Sequence, residues 1–377
     1  MKPEYRVAVI GCTGRGNYGH GLDTAWLYVP QTRIVAVADE QEPGRLAAAK
    51  RLKCEAAFAD YRRMLDEVQP DIVAICPRWI DQHTDMLLAA AERGIHCYIE
   101  KPFCRTLQEA DQIIQAAEMT HTRISIAHPT RFSPVTERVR TLISEGAIGQ
   151  VLELRGRGKE DARGGGEDLW VLGSHVMDMI LALGFAPQWC FADVLQTGHR
   201  VTAADVSAGN EGIGPLAGDA IRATYGLQQG MTATFQSYRN AGRRPSRYGL
   251  QIFGSQGIIE LLEGTLAEAW ILADPSWNPA RGGGQWKRIS SAGIDLPEPL
   301  TDERHRNRNI LAIEDLLDAI ENHREPRCNM YEGRRIVEMI AAVFESHRRN
   351  SPVSLPLEVR ENPLSVLVNE ESRQRSF

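Results

Sequence analysis

The chain has 377 residues, enough for roughly two to three domains at about 150 residues each. Forty-three basic against 49 acidic residues leave a net charge of −6, which argues against a protein built to neutralise nucleic-acid phosphate. Hydrophobic residues at 43% and charged residues at 24% are ordinary globular values and exclude wholesale disorder.

The opening MKPEYRVAVIG has one Lys before a short apolar run and reads as a first strand rather than a signal peptide. No apolar run approaches the ~20 residues that span a bilayer. The seven cysteines are scattered, with no CxxC pair, so neither a disulfide framework nor a structural zinc site is expected, and a cytoplasmic location fits.

In chain order, RVAVI at 6–10 is followed by GCTGRGNYGHG, and Leu22–Tyr28 reads as a helix. RIVAVAD at 33–39 is a second strand ending in Asp39, and 44–53 a helix. DIVAICP at 71–77 is a third strand and 85–94 a helix closed by Gly94. IHCYIEKP at 95–102, a helix at 106–119 and RISIAH at 123–128 complete the alternation. Strands that are apolar throughout and alternate with helices indicate a doubly wound parallel sheet of the Rossmann type, α/β in class. Beyond residue 150, segments at 151–158, 220–227, 231–238 and 248–261 alternate polar and apolar residues, as in an open, mostly antiparallel sheet. Helices are expected at 174–183, 308–321 and 332–347. The domains expected are 1–128 for nucleotide binding, 129–357 for substrate binding and oligomerisation, and a loose polar tail at 358–377.

A strand–turn–helix rich in glycine cradles a dinucleotide pyrophosphate on bare backbone amides. Gly11, Gly14 and Gly16 supply that turn with Arg15, and Thr13 stands where the middle glycine usually does. Asp39 is placed to accept from an adenosine ribose diol. With Glu40 beside it, a 2′-phosphate is disfavoured, so NAD is expected rather than NADP.

With these features, several further motifs resemble the glucose–fructose oxidoreductase / inositol dehydrogenase (Gfo/Idh/MocA) family over about residues 5 to 357. They are Pro77 with His83, Gly94 leading into Glu100-Lys101-Pro102, Arg131-Phe132 with Pro134, Gly146 with Gly149, and Gly173-Ser174-His175 with Asp178. The resemblance implies an NAD-dependent oxidoreductase acting on a secondary hydroxyl of a sugar, polyol or glycoside. His175 would take the hydroxyl proton and Lys101 would steady the developing charge, with Pro77, His83 and Glu100 on the cofactor side and no metal. It also implies a homodimer or homotetramer paired through the second sheet. One departure is that Val171 stands where sugar dehydrogenases of the family carry an Asp, so Glu167 or Asp168 would have to replace it. The alternative is redox-neutral, NAD-dependent glycoside cleavage by oxidation at C3 and elimination.

The stretch 156–170 carries five glycines between charges, and its Lys159, Arg163 and Trp170, with Asp178 beyond, are expected to contact a hydroxyl-rich ligand. Trp79 reads equally as a lid or as core. The loops at 239–248 and 274–286 are read as bordering the ligand or a subunit interface. His128, His305 and the 304–308 arginine cluster show no metal spacing and read as surface groups or ligand donors.

Overall fold

The computed structural model describes residues 4–263, 267–302 and 307–374. It divides into two compact units, Met1–Pro129 with Asn210–Gly214 and Asn307–Val337, and the remainder. Among the described residues no helix is long and apolar enough to cross a membrane.

The first unit runs β1 (Tyr5–Ile10), β2 (Thr32–Ala38), α1 (Glu42–Leu52), β3 (Ala56–Phe58), α2 (Tyr61–Val68), β4 (Ile72–Ile75), α3 (His83–Ala91), β5 (His96–Ile99), α4 (Leu107–Thr120) and β6 (Ile124–Ile126). All six strands pair in parallel in the order β3-β2-β1-β4-β5-β6. Val7, Val9, Ile72, Val73 and Ile75 are fully buried, as a sheet covered on both faces requires. The strand order reverses between β1 and β4, the place where an open parallel sheet leaves a crevice at the carboxyl ends of its strands.

The helix expected at 22–28 is a 3-10 turn at Ala25–Tyr28 only; residues 13–24 form successive turns instead. The Thr32 hydroxyl donates to the Trp26 and Val29 carbonyls and ends the turn there.

The second unit holds α5 (Pro134–Ser144), β7 (Val151–Arg157), α6 (Gly166–Val171), α7 (Gly173–Ala182), β8 (Trp189–Gln196), β9 (His199–Arg200), β10 (Ser207–Ala208) and β11 (Pro215–Leu216). It continues with β12 (Ala220–Gly226), β13 (Thr232–Tyr238), β14 (Gly249–Gly254), β15 (Gly257–Leu262), β16 (Glu268–Leu272), α8 (Pro279–Gly282), β17 (Lys287–Ser290) and β18 (Gly293–Ile294). After α9 (Arg308–Glu321) in the first unit, α10 (Met330–Arg349), β19 (Val353–Ser354) and α11 (Pro363–Gln374) close the chain. The main sheet has the order β18-β17-β16-β15-β14-β7-β13-β12-β8-β19 and is antiparallel except at β7–β13. Leu154, Ala223, Phe235, Ile252, Ile259 and Ile271 form its buried face. Cross-strand register puts Phe191, Thr224, Thr234, Arg155, Gln251, Glu260, Trp270 and Arg288 in one row on the other face.

Two differences from the sequence reading have clear causes. Residues 307–337 group with the first unit rather than with 129–357. There the Asn309 amide donates to the His20 carbonyl (3.2 Å) and accepts from the Tyr98 hydroxyl (2.8 Å). The tail at 358–377 is no loose arm over its described part, because Pro363–Gln374 is helical. Asn362 accepts the Leu364 N–H at the helix start, and Leu364 and Leu367 are buried.

Candidate functional site

The turn after β1 is held by its own backbone. Cys12 and Asn17 exchange N–H···O bonds of 3.0 and 2.9 Å, and Gly14 and Gly16 take φ of 85° and 87°. A Cβ on Gly16 would lie 2.3 Å from the Arg78 nitrogen, so only glycine fits there. A Cβ on Gly14 would meet nothing within 4 Å, so the space beside it is open. Gly11 lies under the Tyr18 ring, 2.2 Å from where its Cβ would be.

Asp39 has an internal role that sequence reasoning missed. It is buried, and its Oδ2 accepts from the Thr13 N–H (3.0 Å) and hydroxyl (2.7 Å), its Oδ1 from the Gln41 N–H (2.9 Å). The Thr13 hydroxyl thus draws the turn onto the end of β2. Because no α-helix follows, the turn offers backbone amides and no helix dipole, contrary to the strand–turn–helix expectation. The open Gly14 still fits a dinucleotide pyrophosphate. Arg15 pairs with Asp81 and lies 4.9 Å over the Trp79 ring, which makes half-buried Trp79 a cushion rather than core.

Glu100, Lys101 and Pro102 follow β5. Glu100 is 1% exposed, and its Oε2 accepts the Lys101 N–H at 2.8 Å. Its Oε1 accepts the His20 N–H (3.2 Å) and meets the His20 ring at Nδ1. Burial alone would push the Glu100 carboxyl up, but the His20 hydrogen bond and the Lys101 charge outweigh it and hold the group below its ordinary range. One carboxylate therefore joins the Lys101 backbone to the glycine-rich turn. Lys101 itself is 9% exposed. His20 was not singled out from sequence; its place directly after Gly19 was the available signal, since a Cβ on Gly19 would strike the Glu100 side chain at 2.9 Å.

His83 stands differently from the cofactor contact expected of it. Its side chain is fully buried, with Nδ1 2.8 Å from the Pro102 oxygen and Nε2 2.8 Å from the Pro77 oxygen. It braces the loop after β4 against the loop after β5. Burial pushes its imidazole below the ordinary range.

In the second unit, His175 opens α7 with its N–H donating to the Leu172 oxygen (3.0 Å). The carboxylate facing it is Glu263, just past β15, whose Oε1 lies 3.8 Å from His175 Nδ1. The Thr130 hydroxyl donates to Glu263 Oε2. Of the two acids suggested by the sequence, Asp168 is engaged elsewhere. Asp168 is buried, accepting from Ser237 Oγ (2.5 Å) and the Glu160 N–H (3.1 Å), and burial raises its carboxyl. Glu167 sits half-buried in α6. No pattern around Glu263 marks it in the sequence.

The expected substrate contacts separate into two kinds. Trp170 is 2% exposed and belongs to the core, so it is no aromatic plate for a ligand. Asp178 is 1% exposed and paired with Arg131 Nη2 at 2.7 Å, which joins two motif residues in a buried brace. Lys159 is exposed, 3.9 Å from Asp161, and Arg163 pairs with Asp161 at 2.6 Å. The glycines at 164–166 serve packing: added Cβ atoms would lie 2.3–2.4 Å from the Tyr238, Gly218 and Ala217 oxygens or their neighbours. In the flanking loops, Arg247 Nε reaches buried Glu160 (2.9 Å) and Trp277 Nε1 donates to the Gly254 oxygen (2.8 Å). His128, read as a surface group or ligand donor, is buried with Cys328 Sγ 3.8 Å from its Nδ1. Arg304 and His305, and the side chain of Arg308, lie outside the described residues.

Residues 5–128 match the model of an oxidoreductase family with an NAD-binding Rossmann fold, and residues 140–355 match that family's C-terminal alpha/beta domain. The chain belongs to the Gfo/Idh/MocA oxidoreductase family. Among its relatives in the family, levoglucosan dehydrogenase of Pseudarthrobacter phenanthrenivorans is 25% identical over 285 residues, covering 66% of this chain and 72% of that one. Glycosyl hydrolase family 109 protein 1 of Akkermansia muciniphila is 29% identical over 180 residues, 43% of this chain and 37% of its own. The structure of levoglucosan dehydrogenase in complex with NADH and levoglucosan superposes with a TM-score of 0.74 at 21% identity, covering 94% of this chain and 100% of the other. At that identity the likeness establishes the shared Gfo/Idh/MocA fold.

Proposed function

We propose that the protein transfers a hydride between NAD(H) and a secondary hydroxyl of a sugar, polyol or glycoside, with Lys101 and His175 as its proton-handling pair. The observation that carries this reading is Glu100, which links Lys101 to the glycine-rich turn through its two oxygens. The relatives named for levoglucosan and D-apiose support a carbohydrate substrate.

The turn residues Gly11, Thr13, Gly14, Arg15 and Gly16 would hold the pyrophosphate. The Asp39–Glu40 end of β2 would receive the adenosine ribose, where two carboxylates oppose a 2′-phosphate. NAD, when bound, supplies the hydride acceptor. Lys101 carries a positive charge in a nearly closed setting, suited to steadying an oxyanion. An imidazole, with an ordinary pKa near about 6.5, suits His175 to take and return a hydroxyl proton at neutral pH. Exposed Lys159 is a candidate donor to substrate hydroxyls. The outward row on the second sheet, with Phe191 exposed and Trp270 half-exposed, supports pairing with another copy of the chain, which light scattering tests.

Redox-neutral cleavage of a glycoside is a second reading, favoured by the glycosyl hydrolase family 109 relatives. Purified protein with NAD is incubated with levoglucosan, D-apiose, scyllo-inositol and aryl glycosides, following NADH absorbance and aglycone release. NADH accumulation supports the dehydrogenase, and aglycone release without net NADH supports cleavage. Bound NAD with neither outcome overturns both.

A further inference from the structure

We infer that Glu263 is the positioning carboxylate of His175, an inference that rests on the reading of His175 as the proton acceptor. Glu263 Oε1 lies 3.8 Å from His175 Nδ1, and the two side chains are only 6% and 12% exposed. With so little water between them, a carboxylate at ion-pair distance stabilises an imidazolium far more than a solvated one does.

Glu263 is itself held in place. The Thr130 hydroxyl donates to Oε2, which directs Oε1 toward the ring. The Glu263 N–H donates to the Tyr248 oxygen at 2.9 Å, continuing the β14–β15 pairing one step past its end. The Tyr248 hydroxyl donates to the Leu172 oxygen at 2.6 Å, at the break between α6 and α7. Tyr248 and Glu263, paired across two strands, thus fix the sheet edge against the residues that present His175.

The other acids close to His175 in sequence are committed elsewhere. Asp168 serves Ser237 and the Glu160 amide, Asp178 is paired with Arg131, and Val171 has no polar side chain. Charged or titratable groups at this end of α7 include Glu263, the Arg131–Asp178 pair and the Tyr248 phenol, with Asp168 and Arg163 also acting on that phenol. Burial, with Glu263 beside it, pushes that phenol well above its ordinary range, so it stays neutral. The positive charge that forms when the ring takes a proton is balanced across the 3.8 Å gap between Nδ1 and Glu263 Oε1. Such contacts tighten when the ring charges.

The test is a titration of protein labelled with 15N-histidine, followed by NMR of the imidazole nitrogens. His175 signals are assigned by their loss in His175→Gln. Glu263→Gln is expected to lower the His175 pKa by about one unit or more. Glu263→Asp, which keeps the charge, is expected to lower it less. An unmoved His175 pKa in folded Glu263→Gln overturns the inference, and the same result in folded Glu263→Ala does so if Glu263→Gln does not fold. Where a substrate is turned over, the acid limb of kcat/KM is expected to move to lower pH in Glu263→Gln. The titration needs neither NAD nor sugar. A shifted pKa together with full activity of His175→Gln would leave the pair standing and remove the proposed role of His175.

Discussion

The Glu100 carboxylate meets the His20 ring between the end of β5 and the turns after β1, with the carboxylate 1% and the imidazole 59% exposed. The buried partner sets the geometry of the contact.

Removing that charge weakens the turn. Glu100→Gln is expected to lower NAD affinity several-fold by isothermal titration calorimetry. It also changes the response to acid. The folded Glu100 pKa lies below its unfolded value near 4.5, so its contribution to stability is present above that value and is lost as the pH falls through the folded one. Native protein should therefore lose more stability below about pH 4.5 than Glu100→Gln does, as read by urea unfolding across that range.

The two glycines of the turn should respond differently to the same change. Gly16→Ala puts a Cβ 2.3 Å from the Arg78 nitrogen at positive φ, so the turn must move and NAD binding is expected to fall more than about tenfold. Gly14→Ala carries backbone strain alone, about 1 kcal/mol, because its Cβ meets nothing within 4 Å. Equal losses of stability and binding in the two variants would show that packing against Arg78 is unimportant.

Asp39 serves the fold besides the cofactor role proposed for it. Asp39→Ala leaves the Thr13 and Gln41 amides without their acceptor and is expected to cost about 1–3 kcal/mol in denaturant unfolding. It is also expected to weaken NAD and narrow the preference for NAD over NADP. An unchanged cofactor preference would mean that Asp39 acts on the turn only.

Trp170 and Lys159 separate packing from ligand contact. Trp170→Ala is expected to cost about 3–5 kcal/mol, because a side chain 2% exposed leaves a large cavity. Lys159→Ala should leave the unfolding midpoint in place and raise KM for a carbohydrate substrate. Thermal unfolding together with steady-state kinetics distinguishes the two.

The first sheet was legible because RVAVI, RIVAVAD and DIVAICP are apolar throughout, as strands covered on both faces must be. β3 was missed because Ala56–Phe58 is three residues long and its companion α2 shows little apolar run. LDTAWLY has helical composition, yet Thr32 ends the turn at Trp26 and Val29 by hydrogen bonds that no local pattern announces. The helix at 363–374 carried its signals, Asn362 before Pro363 and a Leu364–Leu367 spacing, within a segment too polar to stand out.

The proposed site could be assembled from sequence where its residues lie close together, as at Glu100-Lys101 and around His175. It was not legible where partners come from distant segments. Glu263 reaches His175 only because β14 and β15 pair, and Trp170 and Asp178 are turned inward by packing that the sequence does not display.

The most direct test of the proposed oxidoreductase reading is Lys101→Met, assayed for NAD binding by calorimetry and for turnover of whichever sugar in the panel the native protein accepts. NAD affinity is expected within a few-fold of native, and turnover is expected to fall about 10²–10⁴-fold, the usual scale for a lost proton-transfer group. Native turnover by Lys101→Met with native affinity for NAD would contradict the account.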